Sequence, residues 1–237
     1  MIKISVVICA HNEEKGIAKC IEGVKNQTYP KENYEIIVVD NASDDKTAEV
    51  AKLSGAQVVS EPNKGIAHAR QKGSVSANGG IIAFTDADTQ VPKDWLERLT
   101  KPFEKDENLV AFGGMYRITT GSPLTKLFIN HGMYYLYLLA RIITGGWILI
   151  GPNMAYRKWA FEKTGGFNTS LSQGEDTDIS QKLQKIGKVK VVNSFYVYQS
   201  GRRFERGLIK GLMSYGPNWP MKVFFHKDTS KKLEDFR

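Results

Sequence analysis

Short apolar runs that each give way to a helical pattern, and close on polar residues, constrain this chain more than any other feature. Lys3 to Ala10 is nearly continuous in apolar side chains, as expected of a strand covered on both faces. Ile17, Cys20, Ile21 and Val24 then recur at helical spacing, with Asn12 available as an N-cap. Tyr34 to Val39 reads as the second strand, ending in Asp40, and Ser43 and Asp44 stand where they can cap a helix running to about Leu53. A short strand around Gln57 to Ser60 leads to a small-residue helix from Ile66 to about Ala77, ended by Gly79 and Gly80. Ile81 to Thr85 is a fourth strand before Asp86-Ala87-Asp88, and Pro92 opens a helix carrying Trp95, Leu96 and Leu99. Strands alternating with helices predict an α/β fold, a mainly parallel central sheet with helices on both faces.

In such folds ligands bind beyond the carboxyl ends of the strands. His11, Asn12 and Glu13 follow the first strand, Asp40 the second, and Asp86 and Asp88 the fourth. The first turn excludes a large class. Cys9-Ala10-His11-Asn12-Glu13-Glu14 holds two acids and no glycine, where a dinucleotide site needs G-x-G-x-x-G for close backbone approach to a pyrophosphate. No G-x-x-x-x-G-K-[ST] is present either, which removes P-loop hydrolysis. Asp86-Ala87-Asp88 is more informative. Paired carboxylates just past a buried strand can hold a hard divalent cation against a diphosphate, and all-oxygen ligation suits Mg²⁺ or Mn²⁺ over zinc.

The second half is less regular. A strand near Leu109 to Tyr116 precedes an apolar stretch, Leu127 to Asn153, whose one formal charge is Arg141. Its uncharged pieces fall short of the roughly 18 apolar residues of a spanning helix, so it reads as a buried or interfacial helix. Trp147 to Tyr156 looks strand-like, helices are expected over Lys158 to Lys163 and Glu175 to Ile186, and a strand from Val189 to Tyr198. With no repeat, low-complexity tract or linker, residues 1–237 are expected to form one unit, with halves 1–100 and 101–237.

SVVICAHNEE, VVDNASDD, NKGIAHARQKG, the D-x-D at Asp86 to Asp88, GPNMAYRKWAFEKTGGF and GEDTDIS resemble, in order and spacing, the family 2 glycosyltransferases of the GT-A fold. The likeness runs from about Ile4 to Arg203. It implies an inverting enzyme of hexosyltransferase type, using a nucleotide-diphosphate sugar, with the nucleotide in the first half and the acceptor in the second. Carried over by position, Ala10, Asn12 and Glu13 look like the loop cupping the base, and Asp40 like the acid that bonds it. Lys64, Gly65 and Arg70 resemble donor-side contacts. Asp86, with Ala87, is similar to the acid contacting ribose or sugar, and Asp88 to the metal ligand, with Asp86 beside it. Gly151, Pro152, Asn153 and Arg202 resemble the acceptor side. In the family the Asp of the E-D pair is the general base, here Asp176, next to Glu175.

That pair can also be placed without the resemblance. At about 100° per residue, Ile179, Leu183 and Ile186 define a stripe with Glu175 and Asp176 on its shoulders and Asp178 pointing away. A sugar hydroxyl is a poor nucleophile, so a positioned carboxylate must accept its proton as the bond forms. Polyprenyl-phosphate acceptors need no base, so the pair favours a hydroxyl on a glycan or lipid-linked glycan; a polyprenyl-phosphate transferase stays as an alternative. Gln199-Ser200-Gly201-Arg202-Arg203 departs from the Q-x-x-R-W of processive synthases at Arg203, which favours single transfer.

Charge bears on partners. Lys and Arg number 33 against 25 acids, a net charge of +8, and +5 of it lies from Ser200 onward. No nucleic-acid module accompanies it. Beside the apolar segment, the basic tail suggests peripheral contact with anionic lipid, Arg202, Arg203, Arg206 and Lys210 alternatively meeting a diphosphate. Two cysteines, Cys9 and Cys20, fit a reducing compartment, and the opening apolar run is too short for a signal peptide. A cytoplasmic location, or one at the inner face of a membrane, is expected. A nucleotidyltransferase and a degenerate sugar-nucleotide binding module are the rival readings.

Overall fold

The computed structural model describes residues 2–205 and 207–213. Its frame is an eight-stranded sheet in the order β3-β2-β1-β4-β7-β6-β8-β5. The strands are β1 (Ile4–Ala10), β2 (Tyr34–Asp40), β3 (Gln57–Ser60), β4 (Ile81–Asp86), β5 (Thr89–Gln90), β6 (Leu109–Ile118), β7 (Met154–Arg157) and β8 (Lys188–Gln199). Around them run α1 (Ile17–Lys25), α2 (Thr47–Leu53), α3 (Ile66–Ser76), α4 (Trp95–Lys105), α5 (Pro123–Leu127), α6 (Met133–Thr144), α7 (Lys158–Lys163), α8 (Glu175–Gln184) and α9 (Leu208–Met213).

The first four strands pair in parallel, as the apolar runs predict. The register matters for function. Ala10 pairs with Asp40, Asp40 with Ser60, and Cys9 with Asp86, so the polar strand ends stand at one level along one edge. Branched side chains of β1, β2 and β4 are almost wholly buried; each contributes roughly 1.5–3 kcal/mol relative to exposure. α3 lies directly on this sheet: at Gly73 a Cβ would stand 2.3 Å from Val7 Cγ1, so only glycine permits the approach.

The second half mixes directions. β7 is antiparallel to both β4 and β6, β8 is parallel to β6 with a register shift after Gly114, and β5 is antiparallel to β8. The sheet is therefore mixed, its parallel part concentrated in the first half. A core of Phe84, Tyr156, Phe161 and Phe167 joins the two, with Tyr156 stacked on Phe161 at 5.3 Å.

Several local expectations are corrected. Asn12 does not cap α1, because Gly16 stands at that position and Asn12 turns into the left-handed region at φ 55°. Ser43 and Asp44 do not cap α2; Asp45 receives the Thr47 N–H instead. Trp147 to Tyr156 is not one strand. Pro152 lies in a short 3-10 turn at Gly151–Asn153, and β7 begins after it. The apolar stretch forms helix from Pro123 to Thr144, α5 and α6 joined by a π-turn at Phe128–Gly132, and only one side of it is buried. Among the described residues no helix is long and apolar enough to cross a membrane. Arg206 and the tail from residue 214 lie outside the described residues, so of the tail cations named above only Arg202, Arg203 and Lys210 are among those described.

Candidate active site

At the ends of β1 and β2 the backbone is bent into a cradle. Asn12 and Ala42 both adopt positive φ, and two bonds lock the loops together: Asn12 N–H donates to Ser43 Oγ at 3.0 Å, and Asp44 N–H to Asn12 Oδ1 at 2.8 Å. Asp40 Oδ1 and His11 Nδ1 are buried there without a hydrogen-bond partner among the described residues. A buried acceptor is costly unless something satisfies it, so Asp40 is placed to receive an N–H. Lys64 reaches Asp44 at 3.7 Å across solvent, and Gly65 adopts φ 140° at the start of α3. The loop carrying both is gripped by Asn41, whose amide donates to the carbonyls of Glu61 and Asn63 and whose Oδ1 accepts from Gly65 N–H at 2.8 Å. Asn41 was not a site candidate in the sequence; its place directly after Asp40 at the end of an apolar strand was the available signal.

The D-x-D motif sits between this cradle and the second half. β5 folds back after Asp88 and pairs Thr89 with Gln199, which brings the Gln199 amide within 3.2 Å of both Asp86 Oδ2 and Asp88 Oδ1. Arg202, two residues into the next turn of chain, places Nη2 2.6 Å from Glu13 Oε1 and 3.0 Å from Asp88 Oδ2. Arg202, which the resemblance sets on the acceptor side, therefore stands against Glu13 and Asp88, which the resemblance sets on the donor side. Burial raises the Asp86 carboxyl to about 6, with Arg70 opposing the rise and the charge of Asp88 adding to it. Ala87 is buried between the two acids.

Arg70 links the halves. It is 4% exposed on α3, pairs with the buried Glu175 at the start of α8, and lies 3.8 Å from Asp86. The chain leaves room for it at Gly151, where a Cβ would stand 1.8 Å from Nη2. Glu175 is thus held by a guanidinium, while the half-buried Asp176 keeps Oδ1 on its neighbour's N–H, Thr177 N, at 2.8 Å. Burial pushes the Asp176 carboxyl above the ordinary range, with Arg70 opposing it. Ser180 fastens α8 to the site by accepting from Leu149 N–H.

Pro152 and Asn153 are turned inward. Asn153 is fully buried, accepts from Trp95 Nε1 at 2.9 Å and donates to the carbonyls of Met115 and Phe195. Its side chain is occupied in tying α4, β6 and β8 together. The cysteines take no part: burial raises the Cys9 thiol to about 12 and pushes Cys20 up as well, so neither offers a thiolate.

No group of three His, Cys, Asp or Glu side chains among the described residues is set to cage a metal. Asp86 and Asp88 nevertheless offer only hard carboxylate oxygens at one strand end, a donor set that fits Mg²⁺ or Mn²⁺ with phosphate and water completing the shell.

The sequence model described as Glycosyl transferase family 2 matches residues 5–165. The probable glycosyltransferase YdaM of Bacillus subtilis (strain 168) is 31% identical over 199 residues, 78% of this chain and 47% of its own length. A Methanococcus voltae protein named dolichyl N-acetyl-alpha-D-glucosaminyl phosphate 3-beta-D-2,3-diacetamido-2,3-dideoxy-beta-D-glucuronosyltransferase is 26% identical over 90% of this chain and 71% of its own. The chain thus spans about half of the former. Among solved structures, the mannosyltransferase PcManGT from Pyrobaculum calidifontis, in complex with GDP-Man and Mn²⁺, superposes with a TM-score of 0.70 at 21% identity, covering 89% of this chain and 63% of that one.

Proposed function

The chain belongs to glycosyl transferase family 2 and has the GT-A fold, and from that premise we propose that it moves a sugar from a UDP- or GDP-sugar to a hydroxyl of a glycan or lipid-linked glycan, with inversion. The observation that carries this reading is that strand register sets Asp40 and Asp86 at one edge, with Asp88 just beyond, while Arg70 joins Asp86 to Glu175, the neighbour of Asp176.

In this reading Asp40, with Ala10 and Asn12, takes the base, and Lys64 and Gly65 flank the donor. Asp88 and Asp86 would hold Mn²⁺ or Mg²⁺, whose charge offsets that gathering on the leaving diphosphate. Asp176 accepts the acceptor's proton as its oxygen attacks from the face opposite the diphosphate; a carboxyl raised by burial is a better base than an exposed one. Glu175 positions Asp176's helix through Arg70. Arg202 supplies a cation beside Asp88 for the diphosphate. The M. voltae relative's name specifies a lipid-linked sugar acceptor, which supports the lipid-linked branch of the reading.

Calorimetric titration with UDP- and GDP-sugars, with and without Mn²⁺ or Mg²⁺, tests it. One nucleotide series should bind in a metal-dependent way, and Asp88→Ala should remove the metal dependence while leaving the thermal transition in place. Unchanged affinity in Asp88→Ala, with or without EDTA, sinks the metal assignment. Turnover of a nucleoside triphosphate with pyrophosphate release would point to a nucleotidyltransferase instead.

A further inference from the structure

The helical stretch from Pro123 to Thr144 carries apolar side chains on its open side as well as its docked one, yet only the docked side is covered. Thr125, Ile129, Met133 and Ala140 are buried, Ile129 and Met133 within the main core. Asn130 anchors the stretch to β6, accepting from Ile118 N–H at 2.8 Å and donating to Ile118 O at 3.2 Å. Because that side is docked on protein, the stretch lies along the surface. A helix apolar all round belongs in a core or in lipid. Here the opposite side presents Leu124, Leu127, Tyr135, Leu139, Ile142 and Ile143 to solvent, Ile142 at 78% and Tyr135 at 71% exposure. Tyr135, Leu139 and Ile142 follow one another at spacings of four and three, so they share a face. Contiguous exposed apolar surface of this kind marks an interaction site in a soluble fold.

Charge selects the occupant. No Asp or Glu stands between Glu107 and Glu162, and the cations of the helical stretch are Lys126 near one end and the exposed Arg141 near the other. Arg141 stacks over Trp147 at 4.5 Å, which sets an indole beside the patch, and Tyr134 and Tyr135 stand along it. Apolar side chains bounded by cations and amphipathic rings, with no acid among them, match a bilayer interface carrying anionic headgroups. A second copy of the chain would bring the same cations against one another. The patch is also connected to the site: Thr120, between β6 and α5, receives Gly201 N–H at 2.9 Å, one residue before Arg202.

We propose that the outward face of residues 123–144 lies in the plane of an anionic bilayer surface, so that an acceptor carried by lipid meets the cleft from that side. The surface rests on the proposed function only for the lipid-linked acceptor; its contact with lipid stands on the patch itself. The test is co-sedimentation of the full chain with phosphatidylcholine vesicles containing phosphatidylglycerol. Wild-type protein should bind at low salt and less as salt screens the headgroups. Leu139→Glu with Ile142→Glu should lower the partition coefficient about tenfold or more. Leu53→Glu, at an 80% exposed apolar position on α2, should leave it unchanged. Nucleotide-sugar affinity measured on the same variants separates failure of this surface from failure of the donor site. Should the double variant fold poorly, Ile142→Gln alone, at a position almost free of core contact, should still weaken binding. Equal partition of wild type and double variant overturns the proposal in favour of the basic tail. Absence of vesicle binding at low salt overturns it as well, and a dimer that the double variant dissolves would then name a second copy as the occupant.

Discussion

The β1 to β4 half and the β6 to β8 half reach the same edge by different means. In the first, strand register sets Ala10, Asp40 and Ser60 in line, with Asp86 one position back beside Cys9, and the apolar side chains of β1 and β4 are buried almost throughout. In the second, strand pairing is supplemented by polar side chains reaching far along the chain: Asn153 to Trp95, Met115 and Phe195, Gln199 to the D-x-D, Arg202 to Glu13. The difference teaches where change is tolerated. A parallel sheet re-creates its strand-end geometry whenever it folds, whereas the second half adds to its strand pairing side-chain bonds that single substitutions can remove.

Arg70 is the severest test of that contrast, since it belongs to both halves. Arg70→Met leaves Glu175 buried without its guanidinium and should cost about 3–5 kcal/mol in urea denaturation. A loss below about 1 kcal/mol would mean that the halves are held together by their apolar core alone. Asp176→Asn comes next. It keeps size and hydrogen bonding but cannot take a proton, so turnover should fall about 10²-fold or more while donor affinity changes little. Donor affinity and transfer rate measured on that one variant decide it; transfer near the wild-type rate would remove Asp176 as base and favour a phosphate acceptor. Asn153→Ala sharpens the contrast most gently. It deprives Trp95 Nε1 and two carbonyls of partners and should cost about 1–3 kcal/mol, read from the thermal transition. If it is silent, the second half is as self-sufficient as the first.

The same contrast explains how much of the molecule was legible in its sequence. β1, β2 and β4 were readable because a strand buried on both faces must be apolar throughout, and the position of Asp40 and Asp86 at strand ends, with Asp88 in the turn beyond, was readable with them. The burial of Arg70 was not, since its partner Glu175 lies 105 residues away and α3 carries no apolar stripe to orient it. Trp147 to Tyr156 suggested a strand by composition, but Pro152 has no N–H to give a sheet partner, and the 3-10 turn it occupies puts Asn153 inside. Asn12 had the chemistry of a cap and serves as a loop bridge instead, a choice made by Ser43 and Asp44 across the cleft. The apolar helix was legible as buried or interfacial; which side faces out is a property of docking.

Asn41 carries a consequence for how fast a ligand can be taken up. By bonding both ends of the 61–65 loop it makes that loop part of the scaffold before any ligand arrives. The freedom such a loop would otherwise lose on association has already been lost in folding. Association at this edge should therefore proceed in one kinetic phase, without the slow component that accompanies loop closure, and differences between competing nucleotides should appear in how long each stays.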